Sequence, residues 1–300
     1  MAFASARIIL VAVFGLVASL SASSAEAGDS PFGYVYTTDT HPKGTWEVEQ
    51  WITNRSKQSQ GDFDAWEYRT EVEYGVTENL QGSLYLNYGQ VSAFRNRPDG
   101  TTGPGAFVPD DVDPNARYIN RYFESVSTEW IYRLLSPYKD SIGLAFYIEP
   151  TYGPRKRELE LRLIVQKNFM QDRLVWAANL IAAQEKERFH GDWEKESEIQ
   201  LTTGIAYSFL PRWYGGVEYR RHTGFDGYGF SGEKRQYTAN FIGPSLHYSR
   251  GQWWFTATCL TQLGNAKAYT DGASADIIGG RIFGEHHERN ELRLRVGFNF

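Results

Sequence analysis

The last ten residues of this 300-residue chain alternate strictly between apolar and other side chains. Positions 292, 294, 296, 298 and 300 carry Leu, Val or Phe, and the positions between them carry Glu291, Arg293, Arg295, Gly297 and Asn299. Successive side chains of a β-strand point to opposite faces. This segment is therefore predicted to be an amphipathic strand, and a chain that repeats it is expected to build a sheet with one apolar face.

Eleven further segments show the same period of two and are bounded by turn residues. They lie at residues 46–52, 66–74, 80–88, 125–134, 142–149, 158–166, 174–180, 196–209, 212–222, 236–248 and 253–263. The alternation is mixed at 212–222 and 236–248, so the register of these two strands is the least defined. Together the segments predict an all-β chain of about twelve strands.

The connections between these segments alternate in length. Short turns at 75–79, 136–140, 168–172, 210–212 and 249–252 alternate with longer links at 54–62, 93–120, 153–157, 186–193, 223–235 and 264–286. Aromatic residues flank the short turns, namely Tyr74, Tyr138, Phe169, Phe209, Tyr248 and Phe300. Short turns at one end, longer loops at the other and an aromatic girdle are typical of transmembrane β-barrels. The pattern predicts that both termini are periplasmic.

Composition fits a barrel better than either a helical membrane protein or an ordinary soluble domain. The mean hydropathy is -0.48, and no segment after Leu20 is apolar enough for a membrane helix. Aromatic residues nevertheless make up 15% of the chain. Strands that face lipid on one side and a polar interior on the other combine these properties. The alternative is a periplasmic soluble β-protein with a packed core.

Charge and cysteine content exclude other classes. The net charge of -5 argues against nucleic acid as a partner. The single cysteine, Cys259, cannot form an internal disulfide.

The first 27 residues resemble a secretory signal peptide. Arg7 supplies the positive region, residues 8–20 form a short apolar run, and Ala25-Glu26-Ala27 offers a cleavage site. We therefore expect cleavage of residues 1–27 and a mature barrel over 28–300. A retained N-terminal anchor helix is the alternative.

The terminal strand, closed by Phe300, resembles the C-terminal signal that the barrel insertion machinery of Gram-negative bacteria reads. The hairpin from Tyr74 to Glu78 resembles turns of several porin-like families. The resemblance reaches no specific characterised family. It implies a closed antiparallel transmembrane β-barrel in the outer membrane, with membrane lipid, lipopolysaccharide and the insertion machinery as partners.

Charged residues occupy the strand face that would point into such a barrel. The candidates for lining a pore are Glu47, Glu49, Arg69, Glu71, Glu73, Glu160, Arg162, Glu218, Arg220, Arg293 and Arg295. Two interpretations remain open. The charges either pack a closed, salt-bridged lumen in a structural or surface-interaction barrel, or they line a narrow passive channel for small hydrophilic solutes between acidic and basic walls.

Catalytic and metal-binding signals are weak. A hydrolase at the outer rim is a remote alternative, because the neighbours of His190, His222 and His247 match no serine–histidine motif. His286 and His287 are adjacent, so on a strand they would face opposite sides and could not share an ion. The sequence therefore predicts no enzyme activity, no catalytic residue, no metal site and no cofactor.

Overall fold

The computed structural model describes residues 30–103, 108, 112–188, 193–284 and 287–300. The predicted signal peptide, residues 1–27, lies outside the described residues. Twelve long strands dominate the described part of the chain: β1 (Trp46–Ser56), β2 (Asp62–Thr77), β3 (Leu80–Phe94), β4 (Tyr118–Leu135), β5 (Gly143–Tyr152), β6 (Lys156–Phe169), β7 (Leu174–Glu187), β8 (Glu194–Leu210), β9 (Trp213–Asp226), β10 (Arg235–Arg250), β11 (Trp253–Gln262) and, last in the chain, β15 (Asn290–Asn299).

The described residues between β11 and β15 include three two-residue strands and a helix. They are β12 (Lys267–Ala268), the helix Asp271–Ala275, β13 (Ile277–Ile278) and β14 (Arg281–Ile282), and a short 3-10 helix, Gly232–Lys234, precedes β10. No helix in the described residues is long and apolar enough to span a membrane.

The twelve long strands close into one antiparallel barrel. Neighbours along the chain pair from β1 to β11, and β15 pairs with both β11 and β1. The seam is continued beyond the strand ends, where the Phe300 amide donates to the Trp46 carbonyl at 2.9 Å and the Trp46 amide donates to the Phe300 carbonyl at 3.1 Å. This confirms the predicted all-β, twelve-stranded antiparallel barrel.

The barrel is apolar outside and charged inside. Leu84 and Phe146 are each 51% exposed, whereas Glu49 and Glu71 are 0% and 1% exposed. Soluble proteins show the reverse distribution, because ionised side chains are rarely buried without partners. An outer surface of this kind suits a lipid environment and disfavours the soluble alternative.

The strands are longer than predicted at the end that carries the long loops. The loop predicted at 93–120 shrinks to 95–117, because β3 continues to Phe94 and β4 begins at Tyr118. At this end Phe63 and Val91 point inward and are buried, whereas Asp62 and Asp64 are exposed. At this end the inward face is apolar and the outward face is polar, which is the reverse of the lipid-facing zone. The outward apolar surface therefore ends before this part of the strands.

Candidate functional site

The lumen contains a stretch of the chain's own backbone, residues 30–41, which we call the inner segment. It has no regular secondary structure, and Pro31, Phe32, Gly33, Tyr34 and Val35 are all buried. It precedes β1 and lies against the interior wall of the barrel. Because it forms no strand ladder, its backbone groups need side-chain partners from the wall.

Glu218 of β9 supplies the largest share of these partners. Its Oε1 accepts the Gly33 amide at 2.8 Å, and its Oε2 accepts the amides of Tyr34 at 2.7 Å and Val35 at 3.0 Å. Thr258 of β11 also donates its hydroxyl to Glu218 Oε1 at 2.6 Å. A buried carboxylate with this many donors is well satisfied, and it fixes the conformation of three consecutive residues.

Three further strands hold the rest of the inner segment through amide side chains. Asn179 of β7 binds both the amide and the carbonyl of Tyr36, at 2.8 and 2.9 Å. The Thr38 amide donates to Gln166 of β6 at 2.7 Å. The His41 amide donates to Gln81 of β3 at 2.9 Å. The inner segment therefore follows the wall from β9 round to β3 before the chain enters β1.

Glycines of the wall allow this close approach. A Cβ atom on Gly204 would lie 2.6 Å from the Phe32 ring, and one on Gly143 would lie 2.4 Å from Thr38 Oγ1. Real Cβ atoms do not approach this closely, so larger residues at either position would displace the inner segment.

Two arginines of β15 donate hydrogen bonds to backbone carbonyl groups of the inner segment. Arg293 donates to the Gly33 carbonyl at 3.2 Å, and Arg295 donates to the Phe32 carbonyl at 3.4 Å. Arg295 also forms a bidentate pair with Glu49, at 2.5 and 2.9 Å. These contacts join the two termini of the barrel domain through its interior.

Tyr36 lies in the lumen and contacts several side chains of the wall. Its hydroxyl donates to Glu129 at 3.2 Å, and its ring packs edge-on against Tyr147 with centroids 5.3 Å apart. The Arg162 guanidinium lies 4.4 Å from the Tyr36 ring centroid, a cation–π distance. Because Tyr36 lines one cavity on each side, it separates the long-loop half of the lumen from the short-turn half.

The cavity at the long-loop end has a volume of about 260 Å³ and two unlike walls. Arg55, Arg69 and Arg293 line it from the adjacent strands β1, β2 and β15, together with Glu67. Six glutamates and two cations line it from β6, β7 and β8, namely Glu158, Glu160, Glu185, Glu187, Glu196 and Glu198 with Lys156 and Arg162. In a closed ring of twelve strands β7 lies opposite β1, so the basic and acidic walls face each other.

The cavity at the short-turn end has a volume of about 50 Å³. Its lining includes His41 and Asp39 of the inner segment, Glu47 of β1 and Glu73 of β2. His41 Nε2 lies 3.1 Å from Glu73 Oε2.

The predicted pore-lining residues separate into two groups. Eight of them line one of the two cavities: Arg69, Glu160, Arg162, Arg220 and Arg293 at the long-loop end, and Glu47, Glu73 and Arg295 at the short-turn end. Glu49, Glu71 and Glu218 line neither cavity and are at most 1% exposed. Sequence reasoning did not find the inner segment or its partners Asn179, Gln166 and Gln81. A signal was present, since Phe32, Tyr34 and Tyr36 form an aromatic run with no strand of its own.

The histidines considered as catalytic candidates have other partners. His222 Nε2 lies 2.6 Å from Glu198, and its Nδ1 lies 3.0 Å from His287 Nε2. His247 Nδ1 is within 2.8 Å of Thr256 Oγ1. His190 and His286 lie outside the described residues.

The sequence matches a family of unknown function, DUF6662, over residues 24–300. Among curated proteins, none matches this chain. The fold is similar to that of the COG4313 outer membrane channel from Pseudomonas putida F1, with a TM-score of 0.55, 10% identity, and coverage of 88% of this chain and 98% of that one. It is also similar to the translocator domain of the autotransporter NalP from Neisseria meningitidis, with a TM-score of 0.52, 11% identity, and coverage of 88% and 91%. These similarities confirm an outer-membrane type of barrel fold.

Proposed function

We propose that this chain, which belongs to the family of unknown function DUF6662, forms a narrow outer-membrane channel for small hydrophilic solutes. The short-turn end, with both ends of the barrel domain, faces the periplasm, and the long-loop end faces the exterior. The chain carries out no covalent chemistry in this proposal. Its partners are the membrane lipid, lipopolysaccharide at the outer rim and the solute.

The facing walls of the outer cavity are the observation that carries this proposal. Arg69 and Arg293 lie on one side of a cavity of about 260 Å³, and glutamates such as Glu198 lie on the other. A water-filled space between walls of opposite charge holds a transverse field that orients dipolar and charged solutes. A lumen built for packing alone would be filled with side chains and would leave no such space between its walls.

The inner segment restricts the path below this cavity. Its attachments are hydrogen bonds to wall side chains such as Glu218 and Asn179, so it can move without breaking a pair of barrel strands. We infer that conduction occurs past Tyr36 and is small when the inner segment is in place. Removal of the inner segment leaves a wider aqueous lumen.

A closed structural or surface-interaction barrel is the second candidate. It is favoured by the extent to which the inner segment fills the lumen and by the loop between β11 and β15, which packs inward through Ala273 and Ile282 against Tyr34, Phe241 and Leu260. In that case the long loops, including 95–117, carry the function and the charges brace the interior.

Planar-bilayer conductance separates the two candidates. We compare the refolded chain 28–300 with a variant that lacks residues 30–41, both in potassium chloride. The channel proposal expects discrete openings from the full barrel domain and larger openings from the variant. Both proteins must first show β circular dichroism and heat-modifiable migration. If both are folded and both are silent, the closed barrel replaces the channel.

A further inference from the structure

Four glutamates form a compact acidic block where β1 pairs with β2. Glu47 lies directly opposite Glu73 in the strand register, and Glu49 lies directly opposite Glu71. All four are between 0% and 6% exposed. Like charges on directly opposed strand positions repel each other, and burial strengthens that repulsion. The arrangement therefore favours neutralisation of these carboxylates, either by bound protons or by a cation.

Among the lysines and arginines of the described residues, one contacts this block and binds one of its four carboxylates. Arg295 binds Glu49 through two nitrogens. Elsewhere in the lumen, carboxylates have close cationic partners, such as Arg69 for Glu149 at 3.3 Å and Lys156 for Glu185 at 2.6 Å. For Glu47, Glu71 and Glu73, no lysine or arginine nitrogen of the described residues lies within 4.0 Å.

Two buried side chains in this block are incompletely hydrogen-bonded. Among the described residues no N–H or hydroxyl group donates to either oxygen of the Glu71 carboxyl, which is 1% exposed and has the Glu73 carboxyl as its hydrogen-bonding neighbour. Nδ1 of His41 also has no partner among these residues, although Nε2 of the same ring lies 3.1 Å from Glu73 Oε2. A buried polar atom left unpaired costs about 1–3 kcal/mol, and an ionised group costs more. These atoms therefore mark a place where a further charged species would be stabilised.

The ligand-type atoms are close enough to share one ion. One nitrogen of His41 and one oxygen each of Glu47 and Glu73 lie within 4.8 Å of one another, and oxygens of Glu49, Glu71 and Glu73 form a second such group. Imidazole nitrogen with carboxylate oxygen is a donor set that Zn²⁺ and related divalent transition metals accept. We propose that His41, Glu47 and Glu73 bind a divalent transition-metal ion at the periplasmic end of the lumen.

Neighbouring hydrogen bonds already orient the two carboxylates. The Trp254 indole donates to Glu47 Oε2 at 2.9 Å, and the Gln81 amide donates to Glu73 Oε2. Partners of this kind hold a ligand in position and raise its affinity for metal. The cavity of about 50 Å³ is lined by all three ligands, so water can complete the coordination of the ion.

The position of the site gives it a role in the barrel. His41 belongs to the inner segment, whereas Glu47 and Glu73 belong to β1 and β2. A bound ion joins the end of the inner segment to the wall and offsets the charge of the adjacent Glu71. Metal therefore stabilises the inner segment in its place, and this consequence does not depend on the barrel being a channel.

Metal binding to the folded, chelator-treated barrel domain in detergent tests the proposal. Equilibrium dialysis with elemental analysis is expected to give one Zn²⁺ per chain, with Mg²⁺ failing to compete at equal concentration. His41→Ala and Glu73→Gln are each expected to weaken binding by about tenfold or more. His247→Gln is the matched control, because His247 is a buried luminal histidine outside the cluster, and it is expected to bind like the parent.

Cobalt supplies a second readout that is independent of dialysis. Co²⁺ in a site with an imidazole ligand is expected to give a visible absorption band that disappears in His41→Ala and persists in His247→Gln. The proposal is overturned if the folded parent binds no Zn²⁺, or if Zn²⁺ binds equally to His41→Ala and Glu73→Gln. If His41→Ala fails to show heat-modifiable migration, Glu47→Gln takes its place in the comparison.

Discussion

The carboxylate of Glu218 on β9 accepts the backbone amide of Tyr34 at 2.7 Å, across 184 positions of sequence. The same carboxylate accepts the amides on either side of Tyr34. One wall side chain thus replaces the strand partner that three consecutive residues would otherwise need. Among the described residues, no other wall side chain accepts more than one amide of the inner segment.

Substitution of Glu218 is expected to loosen the inner segment. Glu218→Gln keeps the size of the side chain but removes its charge and half of its acceptor capacity, and hydrogen bonds to a charged group are worth about 1.5–3 kcal/mol. We expect the free energy of unfolding to fall by about 2 kcal/mol, with faster proteolysis within residues 30–41. Urea unfolding and limited proteolysis measure these effects. Glu185→Gln, a luminal glutamate that pairs with Lys156 away from the inner segment, should leave the rate of proteolysis unchanged.

Neutralising the arginine wall of the outer cavity and neutralising its glutamate wall are expected to shift ion selectivity in opposite directions. Loss of positive charge in Arg69→Gln with Arg293→Gln raises cation preference, because the remaining field is more negative. Loss of negative charge in Glu160→Gln with Glu198→Gln raises anion preference. Reversal potentials in a potassium chloride gradient should change the permeability ratio by about twofold or more in each case. Equal ratios for both double variants would show that ions do not pass between these walls.

Asp39 of the inner segment is expected to make stability depend on pH. Burial raises the pKa of its carboxyl above the ordinary value of about 3.9, although hydrogen bonds from Thr37, Tyr138 and Gln166 act in the opposite direction. The folded protein therefore binds the proton more strongly than the unfolded chain. The stabilising contribution is complete below about pH 3.9 and is lost as the pH rises through the raised pKa.

The variant Asp39→Asn tests this dependence. It cannot ionise, so the loss of stability with rising pH is removed. We expect the variant to match the parent at about pH 3 and to be more stable than the parent at about pH 7. Urea unfolding of both proteins over this range gives the difference. A difference that does not change with pH would contradict the assignment.

Phe300 is expected to be needed for assembly more than for the stability of the finished barrel. Phe300→Ala keeps the two backbone hydrogen bonds with Trp46 that close the seam but removes the terminal ring. If the insertion machinery reads this ring, the amount of heat-modifiable protein in the outer membrane should fall severalfold, whereas refolding in detergent should be unaffected. Phe169→Ala, which removes an exposed ring at the end of β6, is the control.

Strand positions and faces followed from the period of two alone. In β15, the side chains at the even positions from Leu292 to Phe298 face outward, and Arg293 and Arg295 face the lumen, as alternation requires. The prediction was wrong about strand length at the long-loop end, where Asp62 and Asp64 continue β2 in a zone with polar residues outside. Alternation predicted strand positions and faces only in the zone where contact with lipid requires an apolar outer face.

The interior contacts did not follow from the pattern. Alternation places Glu218 inward, but it does not distinguish a wall charge from an acceptor for the amides of Gly33, Tyr34 and Val35. Arg220 and Glu291 illustrate the same limit, since they form a buried pair between β9 and β15, which are not adjacent in the sheet. Such pairs depend on which strands face each other across the lumen.

Within the lipid-facing zone, the sequence by itself determined the strands and which face of each strand is apolar, because both depend on local alternation. It also determined that the sheet closes into a barrel, because every backbone group within a membrane needs a hydrogen-bond partner. The tertiary structure decided what fills the lumen. Residues 30–41 form no strand, and their partners in the wall lie as far as 263 positions away in the sequence. Contacts of that range are set by the curvature and register of the closed sheet, so they exist only once the barrel has closed.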